Sequence, residues 1–356
     1  MPLDIYSTYY MLAAVRELPL EGTFFKSRYF PTNPMTDVFG TSEVFIDYMK
    51  GNRKMAPFVV PRIGGVAVMR DGYSTFTIEP PNISLTMPLT LDHLKNRRFG
   101  EALFSQATPE ARARFYLLED LAELGRRITR REEWMCAETM MNNGCVMKHI
   151  TDKEDVYFEV EAKFYQGTDN PAIYTPANAW TSGDDGWWVD VELMCDMLTM
   201  RGLPATDLLV SADVGRFILE DPRVQKMLDN RRMEMGNINP RLLPDGVTYI
   251  GTFNFNGHIL DVLSAKATYE NDDGQDVPFM PSGTVVVTAP NSGRTLYGAV
   301  TQIEPGVDDF ITHAAPRVPL HILTVKPPVK ETQMTSKPLM APVRANPWIV
   351  AKKVFD

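Results

Sequence analysis

The residues able to do chemistry in this chain are its acid clusters, its histidines and its cysteines, and their spacing decides what they could do. The run Glu270-Asn271-Asp272-Asp273-Gly274-Gln275-Asp276 sets oxygen ligands at short intervals around a glycine, the composition of a calcium loop. It lacks the spacing and the closing glutamate of an EF-hand, and the same residues favour a solvated turn between strands. Asp184-Asp185-Gly186 reads as a similar turn among tryptophans. His93, His149, His258, His313 and His321 show neither HExxH nor HxxxH spacing, so no zinc site is expected. Cys136, Cys145 and Cys195 form no CxxC pair. Cys145 has only Lys148 and His149 nearby in sequence to lower its pKa, so a structural thiol is expected. The patterns GxxxxGK[ST], GxGxxG, GxSxG and Ser-x-x-Lys do not occur. No catalytic residue, cofactor or metal is expected.

The totals narrow the class further. The chain has 356 residues and an ordinary composition, 44% hydrophobic and 23% charged. Its 27 prolines favour strands, turns and extended arms over a helical bundle. Its 20 methionines read as adaptable core filler. The net charge of −9 argues against a surface built to grip nucleic acid, although an acidic wall would let an enclosed polyanion move without sticking. The N-terminus lacks the pattern of a signal peptide, and no apolar run reaches the length of a membrane helix, so a soluble protein made in a cytoplasm is expected.

Among the elements that must carry these residues, the stretch 24–95 stands out. Phe24-Phe25-Lys26-Ser27-Arg28-Tyr29-Phe30-Pro31 is followed by Val44-Phe45-Ile46, then Pro57-Phe58-Val59-Val60-Pro61. A hairpin is predicted around Asp71-Gly72, pairing Val66, Val68 and Arg70 with Ser74, Phe76 and Ile78. So much strand, interrupted by proline and glycine, reads as a projecting arm that needs a partner outside itself. Residues 4–18 suit a short amphipathic helix, and 19–40 are expected to be extended.

The clearest helix is predicted over 108–143, about 50 Å long, from the Thr108-Pro109 cap to the Asn143-Gly144 stop. Ala111, Phe115, Leu118, Ala122, Ile128 and Met135 are read as its apolar stripe. Arg112, Arg114, Arg126, Arg127, Arg130 and Arg131 alternate with Glu110, Glu119, Asp120, Glu123, Glu132, Glu133 and Glu138. Such charges form either a solvated face with (i, i+4) pairs or a surface complementary to a neighbouring subunit. A strand pair is predicted over 150–166, and Trp180, Trp187 and Trp188 are expected to anchor a loop before a helix at 190–200. Residues 203–310 read as an α/β unit, with a buried strand at 207–211 and strands at 247–253 and 258–269 turning at Asn256-Gly257. The tail, 311–356, reads as short strands and prolines.

This order resembles the lambda-type tailed-phage major capsid proteins, the capsid E family with the Hong Kong 97-like fold. Phe24–Phe30 resembles the family's aromatic-basic stretch before its extended loop, Ala56–Pro61 its apolar run, and Phe76-Thr77-Ile78-Glu79-Pro80-Pro81 its outgoing strand. Val210 to Phe217 is similar to the segment entering the axial domain, and Arg294-Thr295-Leu296-Tyr297-Gly298 to the strand leaving it. Lys337-Pro338-Leu339-Met340 and Asn346-Pro347-Trp348-Ile349-Val350 resemble a final apolar strand pair. The resemblance implies an α+β fold with an N-terminal arm (1–40) and an E-loop (41–95) that reaches over a neighbouring subunit. It implies a peripheral domain (96–202) with the spine helix, an axial domain (203–310), and return strands of the peripheral domain (311–356).

The function so implied is that of a major capsid protein forming hexamers and pentamers of an icosahedral head around double-stranded DNA, with no sequence-specific binding and no membrane. A separate scaffolding protein, a portal and a decoration protein are the implied partners, and the virion, after assembly in the host cytoplasm, the implied location. The expected inter-subunit residues are Phe25, Arg28, Phe30, Arg62, Arg70, Asp71, Gly72, Arg126, Arg130 and Glu133. The alternatives are an encapsulin-like compartment shell, another phage structural protein such as a tail tube, and a hydrolase using the loops near Trp187 and Asp190.

Overall fold

The computed structural model describes residues 7–17, 23–49, 73–95, 108–150, 157–164, 171–229, 236–243, 246–271, 274–305, 307–324 and 329–355. Helix α1 (Thr8–Glu17) precedes α2 (Phe25–Tyr29), and β1 (Val44–Met49) pairs antiparallel with β2 (Tyr73–Ile78). β3 (Ile83–Thr90) leads through α3 (Leu91–Lys95) to α4 (Pro109–Asn142), then to the antiparallel pair β4 (Gly144–Ile150) and β5 (Tyr157–Lys163). β6 (Ile173–Tyr174), α5 (Gly186–Met200), β7 (Asp207–Ser211), α6 (Ala212–Glu220) and α7 (Pro222–Asp229) follow. Next come β8 (Gly236–Leu242), β9 (Val247–Phe255), β10 (His258–Ala265), β11 (Thr268–Glu270), β12 (Asp276–Pro278) and β13 (Val285–Thr288). The chain ends with β14 (Gly293–Tyr297), β15 (Val300–Ile303), β16 (Phe310–His313), β17 (Val318–Thr324), β18 (Val329–Ser336), β19 (Pro338–Pro342) and β20 (Ile349–Ala351).

The central seven-stranded sheet runs β6-β20-β13-β7-β10-β9-β8. Strand alternation assigns its side chains to two cores. Leu208, Val210, Val285, Val287, Ile349 and Ala351 face α5 and α6, whereas Leu209, Val286 and Val350 face the C-terminal half of α4. In β9 the alternation changes phase. Tyr249 and Gly251 pair with Leu263 and Val262, which leaves Ile250 bulged. Val247 and Tyr249 therefore face one core, and Ile250, Phe253 and Phe255 the other.

Helix α4 matches its predicted ends. Thr108 Oγ1 accepts from Ala111 N at 3.3 Å, and Asn143 closes the helix in the left-handed region at φ 52°. Its apolar stripe agrees with the predicted one at Ile128 and Met135 and differs in phase over the first half of the helix. Ala113, Leu117, Leu121, Leu124, Ile128 and Met135 are buried, while Ala111, Phe115 and Leu118 face outwards. The N-terminal half packs on Met11 of α1, Met334 of β18 and the inward residues Ile83, Leu85 and Met87 of β3. Two apolar rows existed in this sequence, and the three-stranded sheet β17-β18-β3 selected one.

Three further expectations are corrected. Residues 25–29 are helical rather than extended, because α4 supplies acceptors to the first N–H groups of α2. The two apolar tail segments do not pair with each other: β19 pairs with β14, and β20 with β13 and β6. Between them Asn346 turns the chain at φ 47° and accepts from Asn143 Nδ2 at 2.8 Å, which joins this turn to the end of α4. The strand predicted over 258–269 is broken, with β10 ending at Ala265 and β11 starting at Thr268. The hairpin partner predicted at 66–70, with Arg70, Asp71 and Gly72, lies outside the described residues, as does Arg62; the described partner of β2 is β1.

Candidate assembly interface

The base of the projecting arm is fixed by a buried charge junction between α2 and α4. A helix N-terminus has N–H groups with no acceptor in the helix itself. Glu133 provides them: Oε1 accepts from Phe24 N at 2.8 Å and Phe25 N at 2.6 Å, and Oε2 accepts from Lys26 N at 2.9 Å. Its neighbour Glu132, 0% exposed, accepts from Lys26 Nζ at 2.6 Å, Tyr297 OH at 2.9 Å and Arg317 Nη2 at 3.1 Å. Burial pushes the Glu132 carboxyl up, but Lys26 and Arg317 outweigh it and hold its pKa below the ordinary carboxylate range. Burial opposes the charge on Lys26 too, and Glu132 and Tyr297 hold its pKa above the ordinary lysine range. On the next turn, Arg28 Nε meets Asp207 Oδ2 at 2.5 Å and Tyr29 OH donates to the same oxygen at 3.0 Å, joining α2 to β7.

From this anchor the chain runs beside β14 by main-chain bonds. Tyr297 N donates to Asp37 O and Phe39 N to Tyr297 O, each at 2.8 Å, and Ala299 N donates to Thr41 O at 2.9 Å. Contact here is tight enough to require glycine at 293, where a Cβ would lie 2.3 Å from the Phe30 ring. Lys337 Nζ then donates to Ser42 Oγ at 2.9 Å, and Ser42 Oγ to Glu79 Oε1 at 3.1 Å, joining the feet of β1 and β2. The ribbon β1–β2 therefore leaves a rigid platform in a defined direction.

These parts occur in one order from α1 to β20, with the ribbon, the long helix and the seven-stranded sheet in the places described. A family model for phage major capsid protein E matches residues 7–353. The chain belongs to the phage major capsid protein E family. It is a major capsid protein of a tailed phage, and its place is the virion capsid. It is 23% identical over 321 residues to the P21 prophage-derived major head protein of Escherichia coli O6:H1 and to the major capsid protein of Enterobacteria phage P21. Each match covers 88% of this chain and 90% of the relative. The fold is similar to that of a prophage capsid protein from Escherichia coli CFT073, described from its crystal structure, with TM-score 0.64 and 16% identity over 97% of this chain and 98% of that one. A phage-related protein of Bordetella bronchiseptica RB50 is similar at TM-score 0.52 and 11% identity, over 98% and 97% of the two chains. The architecture is the Hong Kong 97-like capsid fold, α+β in class.

In this capsid protein several of the expected inter-subunit residues have roles within the chain. Phe25 and Phe30 are 2% and 0% exposed in the chain's own core, Arg28 is bound to Asp207, and Glu133 caps α2. Phe25, Phe30 and Glu133 are thus largely enclosed within the chain, whereas the Arg28 side chain stays about a third exposed. Arg126 and Arg130 do face outwards, and Arg126 meets Glu123 at 3.2 Å. Lys26, Glu132, Asp207, Tyr297 and Arg317 were not identified from sequence; their partners are remote in the chain, and no local pattern marks them.

The remaining candidates for chemistry have structural roles. Asp190 accepts from Tyr174 OH at 2.6 Å and Trp180 Nε1 at 2.7 Å and is buried, so it anchors the tryptophan loop rather than presenting a carboxylate to a substrate. Cys145 is buried, and burial pushes its thiol up to about 12. The acidic run from 270 forms the turn between β11 and β12, with Asn271 bonded to Gln275; Asp272 and Asp273 lie outside the described residues. Among the described residues no group of histidines, cysteines and acids is placed to hold a metal ion, and no helix is long and apolar enough to cross a membrane.

Proposed function

We propose that the chain is the repeating unit of a closed icosahedral head, assembling as hexamers and pentamers around double-stranded DNA. The family match across residues 7–353 carries this reading. In it, residues 1–40 are the N-terminal arm, 41–95 the E-loop, 96–202 the peripheral domain, 203–310 the axial domain and 311–356 the returning strands. The last boundary follows the chain rather than the sheets, since β20 lies in the same sheet as β7 and β13.

The platform described above supports a projecting role for β1–β2. A two-stranded ribbon is marginal alone and gains stability when its open edges pair with a neighbour. Arg62, Arg70, Asp71 and Gly72 would then meet the adjacent subunit. A separate scaffolding protein, a portal and a decoration protein complete the assembly, which takes place in the host cytoplasm. The subunit has a structural role and no catalytic one. Electron microscopy of the purified full chain, alone and co-expressed with a candidate scaffolding protein, tests the reading. Closed heads or capsomer rings are expected; tubes or a persistent monomer under both conditions would overturn it.

A further inference from the structure

Two surfaces of this chain are complementary to each other yet make no mutual ion pair among the described residues. The first is the hairpin β15–β16. Its register pairs Ile303 with Phe310 and Thr301 with Thr312, so these four side chains share one face. That face is outward: Phe310 is 75% exposed and Ile303 51%. The hairpin turn carries Glu304, Asp308 and Asp309, and no lysine or arginine occurs from 300 to 316. Glu304 is engaged with His313 at 2.8 Å, whereas Asp308 and Asp309 are exposed and form no ion pair among the described residues.

The second surface is the outward face of α4. Arg126, Arg127, Arg130 and Arg131 all face outwards within two turns. On this face Glu123 is shared by Arg126 at 3.2 Å and Arg127 at 3.0 Å. Arg131 stacks on Trp134, 5.2 Å from the ring centre, which provides a flat apolar platform beside the positive charges. A basic patch of this density is unusual on a chain of net charge −9, most of whose surface would repel another acidic body.

We propose that the β15–β16 hairpin of one subunit docks on the outward face of α4 in a second copy. Asp308 and Asp309 meet the arginine face, and Phe310 with Ile303 covers the Trp134 platform. The contact is heterologous, joining one surface to a different one, so copies can close into a ring about an axis. Charge selects the register, since either surface against its own copy in a neighbour would set like charges together. The proposal rests on the shell reading and adds the pair of surfaces by which subunits meet.

Charge reversal in the full chain tests it. Asp308→Lys with Asp309→Lys, and separately Arg126→Glu with Arg127→Glu, should each raise the subunit concentration needed for assembly by about tenfold or more, and the four changes combined should restore it. Phe310→Ser should weaken assembly without altering the unfolding midpoint of the subunit; it serves as the second variant if a reversal fails to fold. Assembly of the hairpin variant at the wild-type concentration would overturn the proposal, whatever else the hairpin then binds. So would two impaired reversals that the combination fails to rescue. If the wild-type chain itself forms no shell or ring, it is the shell reading that fails.

Discussion

On the inner face of α4, Glu132 is fully buried and bonded to Lys26 at 2.6 Å; on its outer face, Arg126 is 44% exposed and meets Glu123 at 3.2 Å. The residue types are alike and the positions are fewer than two turns apart, yet the physics differs. Inside, each charge would be uncompensated without its partner, so the junction holds α2, β14 and the segment before β17 in one arrangement. Outside, water screens the pair, and the chain loses little if a neighbour replaces it. One helix thus carries a fixed side that aims the arm and an open side suited to contacts between copies.

The comparison breaks first at Glu132. Glu132→Ala leaves Lys26 and Arg317 facing a buried void, and should cost about 3–5 kcal/mol in urea unfolding of the subunit. Glu133→Ala removes the carboxylate that accepts three N–H bonds at the start of α2 and should cost about 1–3 kcal/mol, with faster amide exchange at Phe24, Phe25 and Lys26 as the local signature. An equal loss for an outer arginine would erase the distinction between the faces. Arg127→Ala should stay within about 0.5 kcal/mol of wild type by the same unfolding measurement.

Acid separates the faces as well. The Glu132 carboxyl is held below its ordinary value, so its stabilisation is present above the unfolded value of about 4.3 and is lost as pH falls through the lower folded value. Glu132→Gln should flatten that limb of the stability curve. Asp120, on the same helix, has the opposite sign. Burial and Glu119 push it up to about 6 against the pull of His93, so its contribution to stability rises as pH falls from about 6 to about 4. Asp120→Asn should remove that rise, seen as a change in slope of the unfolding midpoint against pH.

What could be read from sequence follows the range of the forces involved. The ends of α4 and the β9–β10 turn were legible because Thr108-Pro109, Asn143-Gly144 and Asn256-Gly257 are local signals; Asn256 and Gly257 adopt the positive φ values such a turn requires. Helix α2 was not, since its capping acceptor lies 108 residues away from Phe25. The phase of α4 was missed only in its first half, where Phe115 and Leu118 form a second apolar row that faces outwards. The partners of β19 and β20 were missed because both strands are buried on every residue and show no alternation to orient them. The charge junction depends on four remote segments meeting, which no spacing encodes.

A fixed inner junction that aims an arm across to another copy has a direct structural consequence. A cryo-electron reconstruction of the assembled particle at side-chain resolution tests it directly. A closed icosahedral shell is expected in which residues 50–72 lie over a neighbouring subunit, while Lys26, Glu132 and Arg317 remain bonded within each chain. A particle in which 50–72 fold back on their own subunit, or in which the junction is exchanged between subunits, would contradict it.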